Sequence, residues 1–414
     1  MLLHRSAEQQ VITALSDTRV VAIQGARQTG KSTLARDIAT ARGATYITLD
    51  DRTQRDAAIN DPNMFVRQSP EQLLVIDEVQ RAPDLILAIK EVVDVDTRPG
   101  QFLLTGSSDL TRGTGIEDSL AGRIEIINLY GLSMIERNEG NGVFFETLRS
   151  ASPIDVIKAQ DYSMTRQDYL QLAIAGGYPE ALARSDKGRR DKWFDNYTRQ
   201  LLSKDVGEAN RLRRASVLPK LLRYIASISG RPAVIANIAN DISEPRSTVD
   251  EYISLLELVF LIDRIPTWSS NLTSRAIKHP KLMFCDSGLL SRQLDAKEDI
   301  ITDLTSSIAG AVFETFIYSE LKKLAISQHD QPDIYHYRDS QQREVDFVIQ
   351  YSDNTVSLIE VKLSSTVGIS DFKSMEDLWS KDKSIRNCTV IYTGNKPTAF
   401  SDHQYAIPAQ AIWW

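Results

Sequence analysis

The run Gly25-Ala26-Arg27-Gln28-Thr29-Gly30-Lys31-Ser32 constrains this chain more than any other segment. Its two glycines let the backbone wrap so that successive N–H groups face a single point, and Lys-Ser closes the loop. The loop follows the apolar run Val20-Val21-Ala22-Ile23 and opens a helical pattern from Ser32 to Ala39, whose N-terminus favours an anion. A phosphate-binding loop is therefore expected over Gly25, Ala26, Arg27, Gln28, Thr29, Gly30, Lys31, Ser32 and Thr33. Lys31 would reach the outer phosphates, and the Ser32 hydroxyl would ligate magnesium. ATP and Mg2+ are the expected ligands.

A second element belongs to the same chemistry. Leu73-Leu74-Val75-Ile76 is an apolar run ending in Asp77-Glu78. Apolar residues on both faces predict a central parallel strand, which delivers its terminal carboxylates to the edge where the loop lies. Asp77 is expected to hold magnesium, and Glu78 to orient or deprotonate the attacking water. Strands are also predicted over Arg19 to Gln24, Thr45 to Leu49, Gln101 to Thr105 and Ile124 to Leu129, with helices between them. Five such strands complete an α/β domain by about residue 135.

At 414 residues the chain exceeds one ordinary core. The boundaries predicted are 1–135, a helical region over 136–225, a winged-helix-like unit over 226–300 and an α/β unit over 301–414. With 48 basic and 55 acidic residues the formal charge is −7, so any nucleic-acid contact must come from local patches. Two basic runs qualify: Arg184, Lys187, Arg189, Arg190 and Lys192, and then Arg211, Arg213 and Arg214. Cys285 and Cys388 stand apart with no CxxC partner, which argues against a zinc site or a disulfide framework. Neither a signal-peptide core nor a bilayer-length apolar run is seen. A cytoplasmic protein without membrane contact is expected.

The segments GARQTGKSTLA, TYITLDD, VIDEVQRAPDL, LLTGSSDL and SLAGR, with Gly176-Gly177-Tyr178-Pro179-Glu180 further on, resemble a group of bacterial and archaeal AAA-family ATPases. In that group the ATPase is fused to a C-terminal domain of unknown function, DUF4143. The resemblance implies that Thr105 or Ser107, at the end of a third apolar strand, senses the γ-phosphate. It also implies that Arg123 enters a neighbouring subunit's site as a finger, which makes a homo-oligomer an expected partner. An Arg123 that is solvated, or that acts within its own subunit, is the plainer alternative.

Near the C-terminus, Glu314 lies on a predicted helix, Asp346 on a strand, and Glu360 and Lys362 on the next strand, where residues two apart share a face. This arrangement resembles the PD-(D/E)xK nuclease fold. The resemblance implies that Asp346 and Glu360 bind magnesium, while Glu314 completes the acidic set and Lys362 positions or activates water. The fold class expected is thus α/β: an AAA-type P-loop three-layer domain, a helical and winged-helix middle, and a PD-(D/E)xK nuclease-like end. The function expected is Mg-dependent ATP hydrolysis controlling a nuclease-like domain that acts on or with nucleic acid. The alternative is an ATP-switched assembly or signalling protein whose last domain is a docking module.

Overall fold

In the computed structural model of the chain, residues 4–107, 119–205, 217–269, 279–296, 303 and 306–414 are described. Near the N-terminus five strands, β1 (Val20–Gln24), β2 (Thr45–Thr48), β3 (Leu74–Asp77), β4 (Phe102–Gly106) and β5 (Ile124–Asn128), form one parallel sheet. All five lie where the sequence predicts them. β1, β3 and β4 are buried along their whole length, which is why they occur as unbroken apolar runs.

The strand order is β2-β3-β4-β1-β5. β4 therefore separates the strand that leads into the phosphate loop from the strand that ends in Asp77. Apolar layers cover both faces. Val11, Leu34 and Ile38 pack on one side, and Phe65, Ile86 and Ile89 on the other. The result is the expected three-layer α/β domain.

The middle of the chain is helical. Helices Arg166–Ala175, Lys187–Gln200, Val217–Ser227, Ile235–Ile242 and Arg246–Leu258 precede a two-stranded antiparallel pair, β6 (Ile262–Ile265) and β7 (Lys281–Phe284). Arg246–Leu258 lies within the segment 226–300 read as a winged-helix-like unit. The basic residues Arg211, Arg213 and Arg214 lie outside the described residues. In the other basic run, Lys187 pairs with Asp191 and Arg184 with Glu180, so half-exposed partners offset part of its charge.

The last region places the helix Ser307–Ser327 before β8 (Asp333–Arg338), β9 (Glu344–Gln350), β10 (Val356–Lys362), β11 (Ile385–Tyr392), β12 (Thr398–Ala399) and β13 (Gln404–Pro408). Their order is β12-β13-β11-β10-β9-β8. β8, β9 and β10 are antiparallel neighbours, whereas β11 runs parallel to β10 and β13 parallel to β11. One apolar cluster runs from Met134 and Phe144 through Tyr169 and Leu221 to Phe313, Phe347 and Trp413, so the middle and last regions share a core. Trp413 seals it, packing edge-on against Tyr169 and Phe316. Among the described residues, no helix is long and apolar enough to cross a membrane.

Candidate functional site

The loop Gly25–Gly30 leaves β1 and returns into the helix Lys31–Arg42. Gly25 has φ +152°, and a Cβ there would lie 2.1 Å from the Leu129 carbonyl oxygen, so only glycine fits this close approach. Lys31 is 4% exposed, and its ammonium donates to the carbonyls of Gly25 (3.0 Å) and Ala26 (2.8 Å). Arg5 braces the loop from outside the motif. Its guanidinium donates to the Thr29 carbonyl (2.6 Å), the Tyr130 carbonyl (2.8 Å) and Glu136 (3.0 Å).

Asp77 is buried at the end of β3 and gathers hydroxyls from three neighbouring elements. Ser32 donates to Oδ1 at 2.8 Å and Thr105 at 2.5 Å, while Tyr46 and Thr48 donate to Oδ2 at 2.9 and 3.1 Å. Burial, followed by the charge of Asp77, pushes the Tyr46 hydroxyl up to about 12. The sequence reasoning missed Tyr46 and Thr48. They stand two apart on β2 and so share a face, a signal present in the run TYIT.

Glu78 adopts a left-handed conformation, φ 60°, which turns it out of the strand. Its N–H donates to the Thr105 hydroxyl (3.1 Å), and its carboxylate accepts from the Gln80 amide. The same amide donates to Ser107 (3.0 Å), so Thr105 and Ser107 both join the carboxylate pair. Gln80 was not anticipated, because nothing in its local pattern marks it.

A cleft of about 340 Å³ opens over Arg27, Lys31, Ser32 and Glu78 and is walled by Tyr197 and Gln200 from the helix Lys187–Gln200. The Tyr197 hydroxyl donates to the Arg27 carbonyl at 3.0 Å and lies 3.2 Å from the Tyr178 hydroxyl. Trp193 stacks on Tyr197, with ring centroids 4.9 Å apart. Next to Tyr178, the Gly177 N–H donates to Asp286 at 2.7 Å. A Cβ on Gly176, which has φ +70°, would lie 2.4 Å from that carboxylate. The Gly-Gly-Tyr-Pro motif thus ties the wall of the cleft to the helix Ser287–Gln293, whose N-terminus Asp286 caps.

Arg123 lies elsewhere. Its carbonyl accepts from Val20 N–H at the start of the sheet, the end opposite the phosphate loop. Its guanidinium pairs with Asp94 and donates to the Ala121 carbonyl. Within one subunit, then, the strand β5 separates Arg123 from the cleft.

The predicted C-terminal residues do come together. Glu314 faces the sheet from the helix Ser307–Ser327, while Asp346 on β9 accepts from the Val361 N–H of β10 at 2.9 Å. Lys362 and Glu360 pair at 2.8 Å. The sequence did not reveal the cation at the centre. Lys281, at the head of β7, is fully buried, with its ammonium 3.2 Å from Glu314, 3.0 Å from Glu344 and 3.3 Å from Asp346. Burial pushes the Glu314 and Glu360 carboxyls up, to about 7 and about 8, against the pull of the lysines. Among the described residues, no group of three or more His, Cys, Asp or Glu side chains is disposed to hold a metal ion. Of the two residues expected to bind a divalent ion, Asp346 lies against the Lys281 ammonium and Glu360 pairs with Lys362.

Comparison with known proteins matches three separate segments of the chain. Residues 17–138 match the family model described as an AAA domain, residues 166–300 a domain of unknown function, DUF8612, and residues 309–412 a domain of unknown function, DUF4143. An uncharacterized protein of Mycobacterium tuberculosis, Rv2008c, is 26% identical over 409 residues, covering 99% of this chain and 84% of its own length. Mb2031c of Mycobacterium bovis, also uncharacterized, matches equally. Among solved structures, a Walker-type ATPase of Pyrococcus abyssi overlays with a TM-score of 0.41 at 16% identity, over 70% of this chain and 96% of its own. The Thermotoga maritima RuvB Holliday junction branch migration motor overlays with a TM-score of 0.26 at 16% identity, over 64% of this chain and 90% of its own. The chain carries an AAA-type P-loop ATPase domain near its N-terminus and a DUF4143 domain at its C-terminal end.

Proposed function

We propose that the N-terminal domain binds ATP with magnesium and hydrolyses it, and that this cycle controls the nuclease-like C-terminal domain in work on or with nucleic acid. The observation that carries the ATPase part is the meeting of Lys31, Ser32, Asp77, Glu78 and Thr105 at one mouth of the sheet. Ser32 and Asp77 present hard oxygen atoms side by side, a donor set that fits magnesium. When bound there, the ion supplies positive charge to the β- and γ-phosphate oxygens.

The chain's own residues supply the rest. The loop N–H groups and Lys31 hold the phosphates, and Glu78 orients a water and takes its proton as the water oxygen attacks the γ-phosphorus. The bond to the bridging oxygen breaks, and ADP leaves with that electron pair. Thr105 fixes the backbone at Glu78 and the carboxylate of Asp77 together, which suits a residue that responds to the γ-phosphate. Arg123, on the far end of the sheet, suits a finger offered to a second copy of the chain.

The nuclease-like reading is supported by Asp346 and Glu360 on neighbouring strands with Glu314 approaching from a helix. The helices Ile235–Ile242 and Arg246–Leu258 with β6 and β7 support a winged-helix-like unit between the two domains. One observation favours the second reading, in which the last domain is a docking module: the Lys281 ammonium already stands among the carboxylates of the acidic set. The deciding experiment incubates the purified chain with single- and double-stranded DNA and RNA, with Mg2+ or Mn2+, and with or without ATP. Cleavage that Asp346→Ala abolishes and Lys31→Ala alters supports nuclease control. ATP turnover with no cleavage in any combination supports the docking module.

A further inference from the structure

The ammonium of Lys281 has three N–H donors and three carboxylates around it, at 3.0 Å (Glu344), 3.2 Å (Glu314) and 3.3 Å (Asp346). Its donors are thereby used up. The lysine is fully buried, and its side chain leaves a strand whose backbone is held on both sides, by Ile265 of β6 and by a bridge to Pro232. The ring of Phe347 lies 5.8 Å from the ammonium and closes the apolar side. The carboxylates themselves belong to the helix Ser307–Ser327 and to β9, so two separate segments converge on this one cation.

A magnesium or manganese ion sits about 2.1 Å from its oxygen ligands. An ion at that distance from the same oxygens would overlap the lysine nitrogen. Two further oxygens are also engaged, since Asp346 Oδ2 accepts from Val361 N–H, and Glu360 Oε1 from Lys362. At Glu314, Glu344 and Asp346, ammonium and divalent ion therefore compete for a single seat. Charge balance points the same way, because half-buried carboxylates brought this close need a cation from some source.

We propose that Lys281 is the resident cation of the C-terminal acidic cluster. It occupies the seat of a divalent ion and pins β7 of the middle region to Glu314, Glu344 and Asp346. As folded, the cluster takes up no magnesium or manganese, and metal enters only when β7 carries the ammonium out. This is independent of whether the domain cuts nucleic acid.

The test is a Mn2+ titration of the full chain, without nucleotide, followed by electron paramagnetic resonance. Wild type, Lys281→Met, Lys281→Met/Asp346→Asn and Asp346→Asn proteins are compared. Wild type is expected to show no site that Asp346→Asn removes. Lys281→Met is expected to gain one Mn2+ per chain, at least about tenfold tighter than any wild-type binding, and the double variant to lose it. A wild-type site that Asp346→Asn abolishes overturns the proposal, as does a folded Lys281→Met protein that gains no manganese. Should Lys281→Met not fold alone, added Mn2+ or the additional change Glu314→Gln is expected to restore folding, since either relieves the uncompensated charge. Failure of both also overturns it.

Discussion

The Ser32 hydroxyl donates to Asp77 at 2.8 Å across 45 residues of sequence, so the loop and the acidic strand form one site before any ligand is considered. Lys31→Ala removes the charged donor at that site. Charge-assisted hydrogen bonds contribute about 1.5–3 kcal/mol, so ATP affinity should fall roughly 10- to 100-fold. Glu78→Gln leaves those contacts in place and should stop turnover while affinity stays near wild type. Nucleotide titration and phosphate release on both proteins check this. Normal turnover in the glutamine variant removes Glu78 from the mechanism.

Gln80 holds the Glu78 carboxylate and reaches Ser107 with the same amide. Gln80→Leu should lower kcat by about tenfold with little change in KM, because only the aim of the general base is lost. Steady-state kinetics over a range of ATP concentrations separate the two constants. An unchanged kcat would show that Glu78 is positioned without Gln80.

Arg123 lies at the end of the sheet opposite the phosphate loop, so the finger proposed for it would act on a second copy of the chain. ATP turnover per subunit should therefore rise with protein concentration. Arg123→Ala should abolish that rise, and mixing it with Lys31→Ala should recover part of the activity. A finger contributes about 10³-fold or more, so the loss should be easy to measure. A constant rate per subunit in a protein that stays monomeric by light scattering sinks the idea.

The C-terminal cluster predicts an unusual pH dependence of stability. Burial raises Glu314 to about 7 and Glu360 to about 8, from an ordinary value near 4.5. The native chain then holds protons that the unfolded chain has released, so the associated stability is complete below the ordinary value and is lost as pH rises through the raised ones. Lys281 and Lys362 add no slope in this window. Burial opposes their charge, but the neighbouring carboxylates outweigh it and push both further up. Tm should be higher at about pH 5.5 than at about pH 8, and Glu314→Gln/Glu360→Gln should flatten the difference. Calorimetric scans across that range decide it: the same dependence in the double variant would place its origin elsewhere.

Gly176 marks where the wall of the cleft is anchored. Gly176→Ala would drive a Cβ into Asp286 in a backbone conformation that L-residues avoid, and should cost more than about 1 kcal/mol of stability. The same substitution should weaken ATP binding through the displaced Tyr178 and Tyr197, while Gly43→Ala, with nothing near its Cβ, serves as the control for left-handed strain alone. Denaturant titrations with and without ATP measure both effects.

The strand-loop-helix around Lys31 and the buried strand ending in Asp77-Glu78 were legible in the sequence because each is a local event. Apolar runs, glycines at fixed offsets and the helix that follows all lie within one short window. The C-terminal set was legible for the same reason, since Glu360 and Lys362 share a face by strand alternation alone. The sequence did not determine the order β2-β3-β4-β1-β5, and with it the placing of Thr105, Tyr46 and Thr48 around one carboxylate. Nor did it determine that Arg123 faces away from its own cleft. Lys281 is the clearest case: a lysine at the head of an apolar strand is visible in the sequence, but its partners Glu314 and Asp346 lie 33 and 65 residues away. Electrostatic partners are set by distance in space, which depends on strand order and on how helices pack over the sheet, and local periodicity carries no record of either.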